Sequence, residues 1–90
     1  MIYKYQLKET GLQTIILPYD SRILSIQDQS GALTLWAMFD ENIKENPEER
    51  LIFIAGTGHD FDMKSRGYLE FISTVQMSSG LVWHVFEVER

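Results

Sequence analysis

The sequence has no cysteine, which excludes a disulfide framework and any thiolate metal site. It has no apolar run approaching the roughly 20 residues that a membrane-spanning helix needs, so no membrane role is expected. Its start, Met1-Ile2-Tyr3-Lys4-Tyr5, lacks an apolar core behind a basic segment, so no secretory leader is expected either. Basic residues are scarce, 8 Lys plus Arg against 13 Asp plus Glu, a net charge of −5. That field repels a polyanion and argues against an extended nucleic-acid footprint. No stretch is long and helical enough to cross between parallel strands, so a parallel sheet is disfavoured. What remains is ordinary globular usage, 44% apolar and 23% charged, which excludes a disordered tail, a collagen-like chain and a coiled coil. At 90 residues there is room for one domain, residues 1–90, with a thin core. A small domain without disulfide or metal often gains stability by oligomerising, and a homo-oligomer is expected.

The dominant period is two. Tyr3, Tyr5 and Leu7 alternate with Lys4, Gln6 and Lys8. Over 13–17, Ile15 and Leu17 share one face, and Pro18 ends the run because proline cannot donate to a ladder. The spacing over 22–29 places Leu24 and Ile26 inward, with Ser25 and Gln27 outward. Ser30-Gly31 is a tight-hairpin signal, followed by a strand over 32–39. There Leu33, Leu35, Ala37 and Phe39 form one face, and Trp36 and Met38 the other. Residues 40–50, rich in acids, read as an exposed loop with at most one helical turn. A fifth strand over 51–55 is apolar on both faces, which predicts a central position. Residues 61–66 read as irregular or one helical turn. The sixth strand, 68–77, puts Leu69, Phe71, Val75 and Met77 on one face. The seventh, 81–89, sets Leu81, Trp83 and Val85 against Val82, His84, Phe86 and Val88. The pattern predicts an all-β fold: a small antiparallel β-sandwich or partly open barrel of about seven short strands. The firmest pairings are the hairpins 22–29/32–39 and 68–77/81–89. The second apolar faces of strands four, five and seven need a cover from the other sheet or from a partner.

No motif names a reaction, and no enzyme is expected. The most unusual local feature is Ala55-Gly56-Thr57-Gly58-His59-Asp60. Two glycines let successive N–H groups converge on an anion, and Lys64 and Arg66 follow closely. Gly56, Thr57, Gly58, His59, Lys64 and Arg66 are therefore candidate ligand-binding residues. Position 61 is Phe, so this is not GxGxxG, and no Gly-Lys-Ser/Thr follows to make a phosphate loop. The plainer alternative is a glycine-rich turn whose Thr57 and Asp60 bond their own backbone. His59 and His84, with Asp60 or Asp62, compose a two-histidine, one-carboxylate set, but no spacing demands it. No metal and no cofactor are expected. Trp36 and Trp83 are candidate interface anchors.

Six runs give the chain a resemblance. They are Tyr3-Lys4-Tyr5, Ile16-Leu17-Pro18, Ile23-Leu24-Ser25-Ile26-Gln27, Leu35-Trp36-Ala37, Gly56-Thr57-Gly58-His59 and Val82-Trp83-His84-Val85-Phe86-Glu87. In this order they resemble a family of short proteins, encoded mainly by bacteriophages and prophages, that carries a domain of unknown function. The family has no assigned activity, so the resemblance carries over no catalytic residue. It implies a phage accessory protein in the bacterial cytoplasm. The acidic 40–50 loop departs from the family pattern. The expectation is a non-enzymatic binding protein acting against a host defence or regulatory system. It would sequester a small phosphate-containing, nucleotide-like ligand or inhibit a host protein. The alternatives are a virion structural or interaction module, and a metal-dependent enzyme using His59 and His84.

Overall fold

The computed structural model describes residues 1–62 and 67–89. Seven strands run β1 Ile2–Gln6, β2 Gly11–Leu17, β3 Arg22–Gln29, β4 Ala32–Met38, β5 Glu48–Gly56, β6 Tyr68–Gln76 and β7 Val82–Glu89. No helix occurs among the described residues. Every pairing is antiparallel. β1-β4-β3 form a three-stranded sheet and β2-β5-β7-β6 a four-stranded one. The two are not closed into a barrel, so the open sandwich is the fold. Its thin dimension, 16 Å between outermost Cα atoms, fits two stacked layers.

The core lies between the sheets. Leu33, Leu35 and Ala37 of β4 and Ile26 of β3 meet Ile52 and Ile54 of β5, Trp83 and Val85 of β7, and Leu17 of β2. Period-two alternation places these residues, as the sequence predicts. The strands that read as apolar on both faces, β4, β5 and β7, are the three interior ones. Both expected hairpins form. Ser30 and Gly31 have φ of +53° and +89°, the positive pair that a two-residue turn between right-twisted strands requires.

Three expectations need correction. The pairing slips between Ile23 and Ser25, so Leu24 and Ser25 together oppose Trp36. This β-bulge turns Leu24 outward, 44% exposed, instead of inward beside Ile26. A second slip between Phe71 and Ser73 has the same effect on β6. Ile72, Val75 and Met77 pack on the core while Leu69 joins the outer cluster and Phe71 lies exposed, so the four residues expected on one face divide between two. Finally, Glu48 to Arg50 are strand, paired with Leu17 to Ile15 of β2, and the loop is 40–47. Arg50 carries the alternation of Ile52 and Ile54 one step further, on the side facing the other sheet.

Part of the outer face of the four-stranded sheet is covered from within the chain, while Leu12, Ile16 and Phe71 stay exposed. Leu12, Phe53, Phe86 and Phe71 form one row across all four strands. Phe61, from the segment after β5, packs edge-on against Phe53 with ring centroids 5.0 Å apart. Phe53 is buried as a result. Among the described residues, the outer face of the three-stranded sheet has no such cover.

Candidate functional site: the braced glycine loop

β5 ends at Gly56, and the chain turns back at once. The His59 N–H donates to the Gly56 carbonyl at 3.1 Å, and the Gly56 N–H donates to His59 Nδ1 at 3.2 Å. A neutral imidazole that accepts at Nδ1 carries its proton on Nε2, so His59 has an N–H donor at that atom. Its ring lies against Trp83, with centroids 6.3 Å apart. A Cβ at position 56 would stand 2.6 Å from His59 Cε1, so the ring closes over the strand end because residue 56 is glycine. Gly58, at φ +83°, supplies the reversal.

Thr57 ties the same loop to the opposite face of the sheet. Its Oγ1 lies 2.7 Å from His84 Nε2, and His84 Nδ1 lies 3.0 Å from Thr74 Oγ1. One imidazole thus joins the loop, β7 and β6. Trp83 points into the core, so its neighbour His84 points outward. His59 is on the Trp83 side. The two histidines therefore sit on opposite sides of the sheet and do not form one ligand set. Among the described residues no group of three His, Asp or Glu is placed to hold a metal.

The candidate residues separate as follows. Gly56, Thr57, Gly58 and His59 form one structured turn, with Thr57, Gly58 and His59 exposed. The Gly56 N–H faces His59 and is not offered to an anion. Lys64 and Arg66 lie outside the described residues. Trp83 is 6% exposed and packed in the core, which removes it as an anchor offered at the surface. Trp36 is half-buried on the outer face of the other sheet.

Sequence patterning alone misses one cluster. Arg50 makes a bidentate ion pair with Glu87, through Nε to Oε2 and through Nη2 to Oε1 at 2.9 Å. Its Nη1 donates to the Ser21 carbonyl at 2.9 Å. These groups line a cleft of about 650 Å³ between β3 and β6. The Glu87 carboxylate holds the guanidinium above its ordinary pKa. Four acids, Asp20, Glu70, Glu87 and Glu89, face two bases, Arg22 and Arg50. The Glu70 carboxylate, accepting a hydrogen bond from the Glu89 carboxyl and adding its negative charge, raises the Glu89 pKa. This cleft repels anions. The continuation of the 50, 52, 54 alternation was the available signal, masked by the acidic composition around it.

The fold and the loop define a small two-sheet β domain with a turn anchored on both faces of one sheet. The whole chain, residues 1–90, matches the family described as Domain of unknown function (DUF7352), and the protein belongs to it. No curated protein and no solved structure matches the chain.

Proposed function

We propose that this protein is a non-enzymatic binding module, a phage or prophage accessory protein. It acts in the bacterial cytoplasm against a host defence or regulatory system, by holding a small phosphate-containing ligand at the 56–59 turn, with Lys64 and Arg66 following in the sequence. One observation carries this reading: the turn is braced from both sides of a rigid sheet, by His59 on Trp83 and by Thr57 on His84. Binding groups presented by a fixed scaffold lose little freedom when a ligand arrives. His59 offers a donor from that turn, and Lys64 and Arg66 follow it in the sequence.

The Thr57–His84–Thr74 chain has the outline of a nucleophile, base and orienting group. Its third member is a neutral hydroxyl, which cannot stabilise an imidazolium as a carboxylate does. We therefore read it as a brace. Calorimetric titration with cyclic and linear signalling nucleotides tests the reading. Binding that is lost in His59→Ala and Thr57→Val supports it. An absence of heat with every nucleotide removes the small-ligand form, and a pull-down from host lysate then tests inhibition of a host protein.

A further inference from the structure

The outer face of the three-stranded sheet is an apolar surface that no other described segment of the chain covers. Its side chains stand in rows set by the register. Ile2, Met38 and Arg22 form one row, and Lys4, Trp36 and Ser25 the next, with the bulged Leu24 alongside. Ile2 is 53% and Met38 39% exposed. Ile2, Leu24 and Trp36, with Ser25 and Gln27, line an apolar hollow of about 330 Å³.

The charge on this sheet is opposite in sign to that of the molecule. Its three strands contain a single acid, Asp28, and that carboxylate is turned onto the Ser78 backbone of the β6–β7 turn. The bases of this face are Lys4, whose Nζ donates to Gln29 Oε1 at 2.9 Å, and Arg22, which the register sets beside Met38 and which also borders the cleft between β3 and β6, in a chain whose net charge is −5. The loop that leaves the same end of β4 has the complementary make-up. Residues 40–47 hold Asp40, Glu41 and Glu45 against Lys44, with Ile43 exposed among them.

We propose that a second copy of this chain covers this face. A two-fold axis places the 40–47 loop of each copy on the other's sheet, with Ile43 over the Trp36 hollow and the loop acids facing Lys4 and Arg22. Both contacts then form at once, and the assembly closes as a dimer instead of growing into a filament. A tryptophan shielded from water at the centre, rimmed by opposite charges, is the usual anatomy of such a contact. The proposal is independent of the glycine-loop reading, because that loop lies on the other sheet at the other end of β5.

Light scattering on the full chain across a concentration series tests it, with a mass twice the 10.5 kDa of one chain expected. Lys4→Glu with Arg22→Glu reverses the face, and Glu41→Lys with Glu45→Lys reverses the loop. Each double variant alone loses the dimer. Mixed in equal amounts they regain it, because every loop then meets a face of opposite sign. Trp36→Ser loses the dimer and is not rescued by either partner. A native chain that stays monomeric at every concentration overturns the proposal and leaves the face to a foreign acidic protein. A dimer that survives both reversals also overturns it. Should a variant fail to fold, dilution of the native chain followed by NMR decides: the Trp36 indole and Ile43 methyl signals shift together, or the proposal fails.

Discussion

Asp28 shows how one side chain joins two sheets. Its Oδ1 accepts the Gly31 N–H and its Oδ2 the Ser78 N–H, each at 2.7 Å, so the turns of both hairpins hang on one carboxylate. The Ser78 backbone bond, reinforced by Gly31, lowers its pKa. A carboxyl held below its unfolded value, about 4, stabilises the fold above that value and ceases to do so as pH falls through the folded one. Asp28→Ala should therefore lower Tm at neutral pH and cost progressively less below about pH 4, as thermal melts across pH would show. At Gly56, alanine should push the His59 ring off the strand end and cost about 1 kcal/mol through the lost backbone bond. The His59 ring protons, displaced from Trp83, report the change by NMR. The Ser30-Gly31 turn was legible because its chemistry is local. The partnership of Asp28 with a residue 50 positions away was not, since no pattern within a strand encodes which hairpin lies opposite.

Among the elements, apolar residues on both faces marked β4, β5 and β7, and these are the interior strands, although only β5 was expected to be central. Alternation failed at β3 and β6, where one extra residue reverses the parity of the strand beyond it. Leu24 and Ile26 have the spacing of a common face and lie on opposite ones. Leu24→Gln should change stability by less than about 0.5 kcal/mol, whereas Ile26→Gln should cost about 3 kcal/mol or unfold the chain. Chemical denaturation of both variants checks this. The start of β5 was hidden for another reason: Glu48, Glu49 and Arg50 have loop composition, yet Arg50 is held by Glu87 and Ser21 from two neighbouring segments. Arg50→Met should cost about 2–3 kcal/mol, because it leaves the half-buried Glu87 unpaired. Replacing Glu87 with Gln in the same chain should recover part of that loss.

The whole molecule is ordered by pairings between distant segments. β1 joins β4 and β2 joins β5, while only β3–β4 and β6–β7 are local hairpins. Closing such loops precedes any gain from the contacts they bring, so folding should take milliseconds to seconds. Stopped-flow fluorescence can follow it, since Trp83 is sealed in the core while Trp36 stays at the surface. The fold class was legible from turn spacing and period two alone. The layering of strands into sheets was not, because the choice between β1–β2 and β1–β4 pairing rests on how two apolar faces meet. The glycine loop was legible as a feature by its composition. Its bracing was not, because the Thr57–His84 and His59–Trp83 contacts depend on β5 and β7 being neighbours.

The 40–47 loop divides the strands unevenly. Everything before it makes the complete three-stranded sheet and one strand, β2, of the other; everything after it supplies the remaining three. A protease cut at Lys44 would therefore not release two separate pieces. The N-terminal fragment would keep β2 laced onto β5, with the apolar faces of both fragments still shut against each other. Expressed as two polypeptides, the halves should find one another and rebuild the domain, which makes this position a natural joint for a split reporter.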